Sequence, residues 1–208
     1  MEEKWPVKDT KQKRGTTMEL ILIRHFATAG NLEKRYIGKT DEPILPVAEK
    51  KKMPRAEIVL TSPMKRCRQT AKLLYPGVEQ IVWNGFRECD FGAFEGKNYL
   101  ELTGEPSYQA WIDSGGELPF PGGESKASFC ERTRETFEQA VAKLMEHKIN
   151  RAAIIAHGGT LMAVLSAYAV PKQGYYEWNC GNGCGYQVRI FENWWKTGEK
   201  QCKVERKL

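Results

Sequence analysis

The feature that most constrains this chain is a set of short, continuously apolar runs, each ended by turn-forming residues. Met18–Ile23 (Met-Glu-Leu-Ile-Leu-Ile) is one, Glu57–Thr61 is a second that stops at Ser62-Pro63, and Arg151–Ala156 is a third that stops at His157-Gly158-Gly159. A run apolar on successive residues offers both faces to protein, as strands of a parallel sheet covered on two sides do. Helical periodicity fills the gaps between them. Lys65–Leu74 spaces Cys67, Thr70, Ala71 and Leu74 along one helix face before Pro76-Gly77. Ser125–His147 is a long amphipathic segment, and Thr160–Val170 is apolar nearly all round, as a helix buried against a sheet is. Gly185–Glu192 and Lys200–Lys207 read as closing strands. This alternation predicts an α/β fold: a three-layer α/β/α sandwich around a mostly parallel central sheet. Gly92–Gly123, rich in Gly and Pro, is expected to form a lid or site wall of short helices and loops.

At 208 residues the chain is sized for one domain. Residues 1–17 are polar and basic without apolar periodicity and read as a flexible extension, which leaves 18–208 as the domain. No apolar stretch is long enough for a membrane span or a secretion signal, so the expected location is cytoplasmic, with no membrane partner. The net charge of +6 suits anionic ligands, but the basic residues are scattered, so no nucleic-acid partner is expected. Cys67, Cys89, Cys130 and Cys202 are far apart and read as free thiols. Cys180-Gly-Asn-Gly-Cys184 lacks a second pair or a nearby His to complete a metal site, so no metal is assigned there.

Two of the three histidines, His25 and His157, follow apolar runs directly, where sheets of this class place their ligands. Arg24 precedes His25, and Arg66 opens the helix after Ser62-Pro63. A guanidinium is a planar fork matched to phosphate oxygens, and a helix start adds partial positive charge.

Five segments then occur in order. Arg24-His25-Phe26-Ala27-Thr28-Ala29-Gly30-Asn31 is similar to an Arg-His-Gly-x-Thr-x-x-Asn signature. Ser62-Pro-Met-Lys-Arg66-Cys-Arg-Gln-Thr70-Ala, Arg87-Glu88-Cys-Asp-Phe-Gly-Ala-Phe-Glu-Gly96, Pro121-Gly-Gly-Glu-Ser125 and Ala156-His157-Gly-Gly159 follow. Together they resemble the histidine phosphatase superfamily, which includes the phosphoglycerate mutases. The pattern is closest to the small α-ribazole phosphatase-like and sugar-phosphate phosphatases. The resemblance implies a phosphoric monoester hydrolase with no cofactor and no metal, acting on a small phosphorylated metabolite such as α-ribazole 5′-phosphate or a phosphosugar. It implies His25 as nucleophile, Glu88 as proton donor and His157 as the second catalytic imidazole. Arg24, Arg66, Asn31 and His157 would then hold the phosphoryl group. Phe26, Thr28, Tyr36 and Gly158 are candidates for the substrate side.

Two departures bear on this expectation. Phe26 stands where the signature has Gly, which is awkward if the position needs positive φ. A non-catalytic phospho-ligand-binding protein is therefore one alternative, and phosphoryl transfer of the mutase type is another. Asp41-Glu42-Pro43-Ile44-Leu45 also leads almost directly into Glu57–Thr61, without room for the first helix of relatives. Part of one sheet face is expected to be left open, and a homodimer contact is one way to cover it.

Overall fold

The computed structural model describes Trp5, residues 17–48 and residues 52–208. The first strand, β1 (Thr17–Arg24), is apolar and buried over Leu20–Ile23 and is followed by the one-turn helix α1 (Ala29–Leu32). β2 (Ile58–Thr61) then leads into α2 (Lys65–Leu74) and β3 (Gln80–Val82). The expected wall holds the short helices α3 (Tyr99–Leu102) and α4 (Pro106–Asp113). α5 (Lys126–Glu146) is capped by the Ser125 hydroxyl, which accepts from the Ser128 N–H. β4 (Arg151–Ala156), α6 (Gly158–Tyr168), β5 (Ala169–Val170), β6 (Gly185–Phe191), α7 (Glu192–Lys196) and β7 (Cys202–Lys207) complete the order.

The strands form one sheet in the order β3-β2-β4-β1-β6-β7-β5. β1, β2, β3 and β4 run parallel, while β6 is antiparallel to both β1 and β7. This is the mixed, mostly parallel α/β arrangement that the alternation predicts. Alternate residues of β1 divide the core: Leu20 and Leu22 face the side packed by Phe137, Val141, Leu161 and Leu165 of α5 and α6, and Ile21 and Ile23 face Cys67 and Ala71 of α2. Among the described residues no helix is long and apolar enough to cross a membrane.

The first helix of relatives is absent from the described part of residues 41–57, as expected. The sheet face beside it is nevertheless not bare apolar surface. Toward β6 its residues are charged or polar: Arg189 sits between Glu19 (3.6 Å) and Glu205 (3.7 Å), and Gln187 accepts from Arg206 (2.9 Å). Under β1 the small area that needs cover is closed by Met53, Ala56 and Leu208 beside α2.

Smaller differences also have local causes. The helix expected from Thr160 begins at Gly158, because His157 already has N-cap geometry and the two glycines occupy the first helical positions, where their low propensity costs little. His147, at the end of α5, is stacked on Trp5 with ring centres 4.6 Å apart. Apart from Trp5 and Thr17, the extension expected over 1–17 lies outside the described residues, and Thr17 already belongs to β1.

Candidate active site

β1 and β4 are parallel neighbours that pair Arg24 with Ala156, so the residues that follow them leave the sheet side by side. These are His25 and His157, whose rings lie 5.2 Å apart at 68° and are almost wholly buried. The Nδ1 of His25 lies 2.7 Å from the Phe26 carbonyl oxygen. A carbonyl only accepts, so Nδ1 carries the proton and Nε2 keeps its lone pair. Burial, with help from the nearby Arg66 and Arg24, lowers the His25 pKa to about 3. The ring is therefore a neutral base and nucleophile at any ordinary pH.

The Nε2 of His157 is 2.8 Å from Ser62 Oγ. That oxygen also accepts from the Met64 N–H (3.4 Å), so Ser62 holds the His157 ring in place from the end of β2. Burial holds the His157 pKa well below the usual value, and His25, Arg66 and Arg24 act in the same direction.

Both predicted arginines reach this place. Arg66 is fully buried at the start of α2, and its terminal nitrogens donate to the carbonyls of Thr40 (2.7 Å), Gly38 (3.0 Å) and Ile37 (3.2 Å). Arg24 donates from Nη1 to the Cys180 carbonyl (2.8 Å) and lies against Gly158. The Nε–H groups of Arg24 and Arg66 are buried and find no acceptor among the described residues. A buried donor without a partner costs about 1–3 kcal/mol, so two of them on cations call for an anion with several oxygens. α6 begins at the same strand end, and its N-cap residue His157 makes no side-chain capping bond.

Glu88 closes the site. Its Oε1 accepts from the Cys89 N–H (3.0 Å) and lies close to Gly159. Desolvation raises its pKa; the amide bonds and the two arginines oppose this, but burial prevails. A carboxyl kept protonated above its ordinary range is a proton donor. It borders a cavity of about 230 Å³ that Tyr36 also lines.

The other substrate-side candidates lie elsewhere. Thr28 is fully buried and spends its hydroxyl capping α1, accepting from the Asn31 N–H (3.3 Å). Gly158 lies on the phosphoryl side, against Arg24. Phe26 turns away from the cavity. Its N–H donates to Thr70 Oγ1 (2.9 Å) and its ring fits over Gly183. Among the described residues only Lys34 and Lys148 combine a side chain with positive φ, so Phe26 meets none of the strain its position in the signature raises. Asn31 is at the rim, its Oδ1 accepting from Asn182 Nδ2 (3.1 Å).

Asn182 and its loop are what the sequence reading missed. Asn182 donates to the His25 carbonyl (3.1 Å), Gly183 N–H points at the carbonyls of Arg24 and His25, and the Cys180 carbonyl holds Arg24. Cys180–Cys184 is thus a clamp on the first motif. Glu95 acts at one remove, accepting from the N–H groups of Gly38 and Thr40 (both 2.9 Å) and so holding the loop that receives Arg66. The glycines flanking Asn182 were the available signal for a tight, close-packed turn.

Comparison with known proteins agrees with this geometry. The chain is 30% identical over 178 residues to a metal-independent phosphoserine phosphatase of Arabidopsis thaliana, covering 78% of this chain and 73% of that protein. The solved structure of a phosphoglycerate mutase from Thermus thermophilus superposes with a TM-score of 0.65 at 30% identity, over 92% of this chain and 98% of that one. The α-ribazole phosphatase from Shigella flexneri shares the fold, with a TM-score of 0.72 at 21% identity over 90% and 95% of the two chains. The family profile of the histidine phosphatase superfamily (branch 1) matches residues 20–201, and the chain belongs to that superfamily.

Proposed function

We propose that this protein is a phosphatase that hydrolyses a small phosphate monoester through a phosphohistidine on His25, without a metal. The observation that carries the reading is the pairing of a His25 Nε2 lone pair with two buried arginine Nε–H donors that lack acceptors. Nε2 attacks phosphorus as the bond to the ester oxygen breaks. Arg24, Arg66, His157 and the α6 amides take up the negative charge spread over the phosphoryl oxygens, with Asn31 at the rim. Glu88 gives its proton to the departing alkoxide. As a carboxylate it then takes a proton from water, whose oxygen attacks phosphorus, breaks the N–P bond and releases inorganic phosphate. The cations already present do the work a metal ion does elsewhere. α-Ribazole 5′-phosphate and phosphosugars fall within this substrate class.

A mutase would return the phosphoryl group to a phosphoglycerate. The cavity beside Glu88 speaks for hydrolysis, because Lys126, the cation on its wall, is already paired with Glu117 (2.6 Å) and leaves a glycerate carboxylate unmatched.

The test is a panel of phosphate monoesters, including 3-phosphoglycerate, read for free phosphate and for isomer. His25→Ala is expected to lose on the order of 10³-fold or more of the best rate. Denaturing quench of the parent should trap phosphate on protein in an acid-labile, alkali-stable form. Hydrolysis by His25→Ala at the parent rate would remove the nucleophile and the reading with it.

A further inference from the structure

The walls of the cavity beyond Glu88 define a leaving group. Tyr36, Phe91, Trp111, Phe120, Met162 and Tyr175 line it, and Glu88 and Gly159 form its inner end. The rings hold one another in place: Trp111 stacks on Phe120 at 5.1 Å, Phe91 meets Phe120 edge-on at 5.0 Å, and Tyr36 meets Phe91 at 5.2 Å. Such a cluster is formed before a ligand arrives, so little ordering cost falls on binding.

One polar group on these walls is open: the Trp111 Nε1–H is buried without an acceptor among the described residues. The Lys126 ammonium is bound to Glu117 and lies 5.2 Å over the rings of both Tyr175 and Tyr176. The Tyr36 ring packs edge-on at 6.5 Å from that of Tyr108, and the Tyr175 hydroxyl lies 3.5 Å from the Gly159 carbonyl. A leaving group bearing several hydroxyls or a carboxylate would give up its hydration here with one indole N–H to replace it, whereas a flat apolar one would gain ring contact. Size sets the rest. A dry cavity of about 150 Å³ admits one benzene, so about 230 Å³ holds one ring with room toward a second.

Resting on the phosphatase reading, we propose that the preferred substrate is a phosphate monoester whose alcohol carries a planar aromatic body of one or two rings. The body seats against Trp111 and Phe120, and its ester oxygen faces Glu88.

The test compares 2-phenylethyl phosphate with ethyl phosphate and glycerol 3-phosphate, whose leaving alkoxides are of similar basicity, so that a difference reports the cavity and not the chemistry. kcat/KM for the phenylethyl ester is expected to be higher by roughly 100-fold. Trp111→Ala should shrink the phenylethyl-to-ethyl ratio by roughly 10-fold. Binding of 2-phenylethylphosphonate and ethylphosphonate to the unmodified protein, measured by calorimetry, gives a second reading that needs neither turnover nor a variant. Equal kcat/KM for the esters, or equal affinity for the phosphonates, overturns the substrate class and leaves the phosphatase standing. Failure to hydrolyse any of the esters, with the aryl phosphonate still bound more tightly, overturns the phosphatase and leaves the aromatic site.

Discussion

At His25 a single carbonyl decides the chemistry: Phe26 O fixes the proton on Nδ1 and thereby frees Nε2. At Glu88 desolvation raises the carboxyl pKa and so favours the protonated form. The first chemical step needs that proton, so kcat/KM should fall as pH rises through the raised pKa of Glu88. Glu88→Gln, which cannot titrate, is expected to lose that descending limb and roughly 100-fold of kcat/KM. pH profiles of the two proteins check this, and an unchanged limb in the variant would assign it to another group. Arg24, His25, Arg66, Glu88 and His157 were legible in the sequence because the chemistry proposed for them lies in their own side chains. Ser62, Glu95 and Asn182 were not, because they act on a ring nitrogen or on backbone groups of residues distant in the chain, and only the folded chain brings those within reach.

Among elements, α2 and β4 have the bounds their periodicity gives, since a buried strand and a one-faced helix leave unambiguous patterns. The wall between β3 and α5 and the loop between β5 and β6 gave no such pattern, as their order comes from ring packing and from single hydrogen bonds. The latter loop offers a direct test. Gly183 has φ +70°, and a Cβ there would meet the Phe26 ring at 2.6 Å. Gly183→Ala is expected to cost about 1–3 kcal/mol. Adding Phe26→Gly should recover the steric part of that loss but not the backbone part, so the two changes will be non-additive. Urea unfolding of the four proteins measures this, and strict additivity would place the ring elsewhere.

For the molecule as a whole, burying two neutral imidazoles ties stability to pH. In the unfolded chain His25 titrates near 6.5, and in the folded one at about 3. Below 6.5 the unfolded state therefore binds more protons, so the full stability present above 6.5 declines as pH falls toward 3. The urea midpoint should drop between about pH 7 and about pH 5, and His25→Asn should flatten the slope. An equal slope in parent and variant would show that His25 takes no part. The sandwich was readable from alternation alone, whereas the polar closure of the sheet toward β6 was not, because Glu19, Arg189 and Glu205 are partners only once their strands are adjacent.

The cluster of Phe94, Leu102, Phe120 and Phe129 is separate from the two cores that flank the sheet. Strand ends thus carry the proposed phosphoryl site, and a separate cluster, built from the wall together with Phe129 of α5 and Ala163 of α6, borders the cavity beside it. Changes in that wall can reshape the cavity while the strand ends keep their foundations.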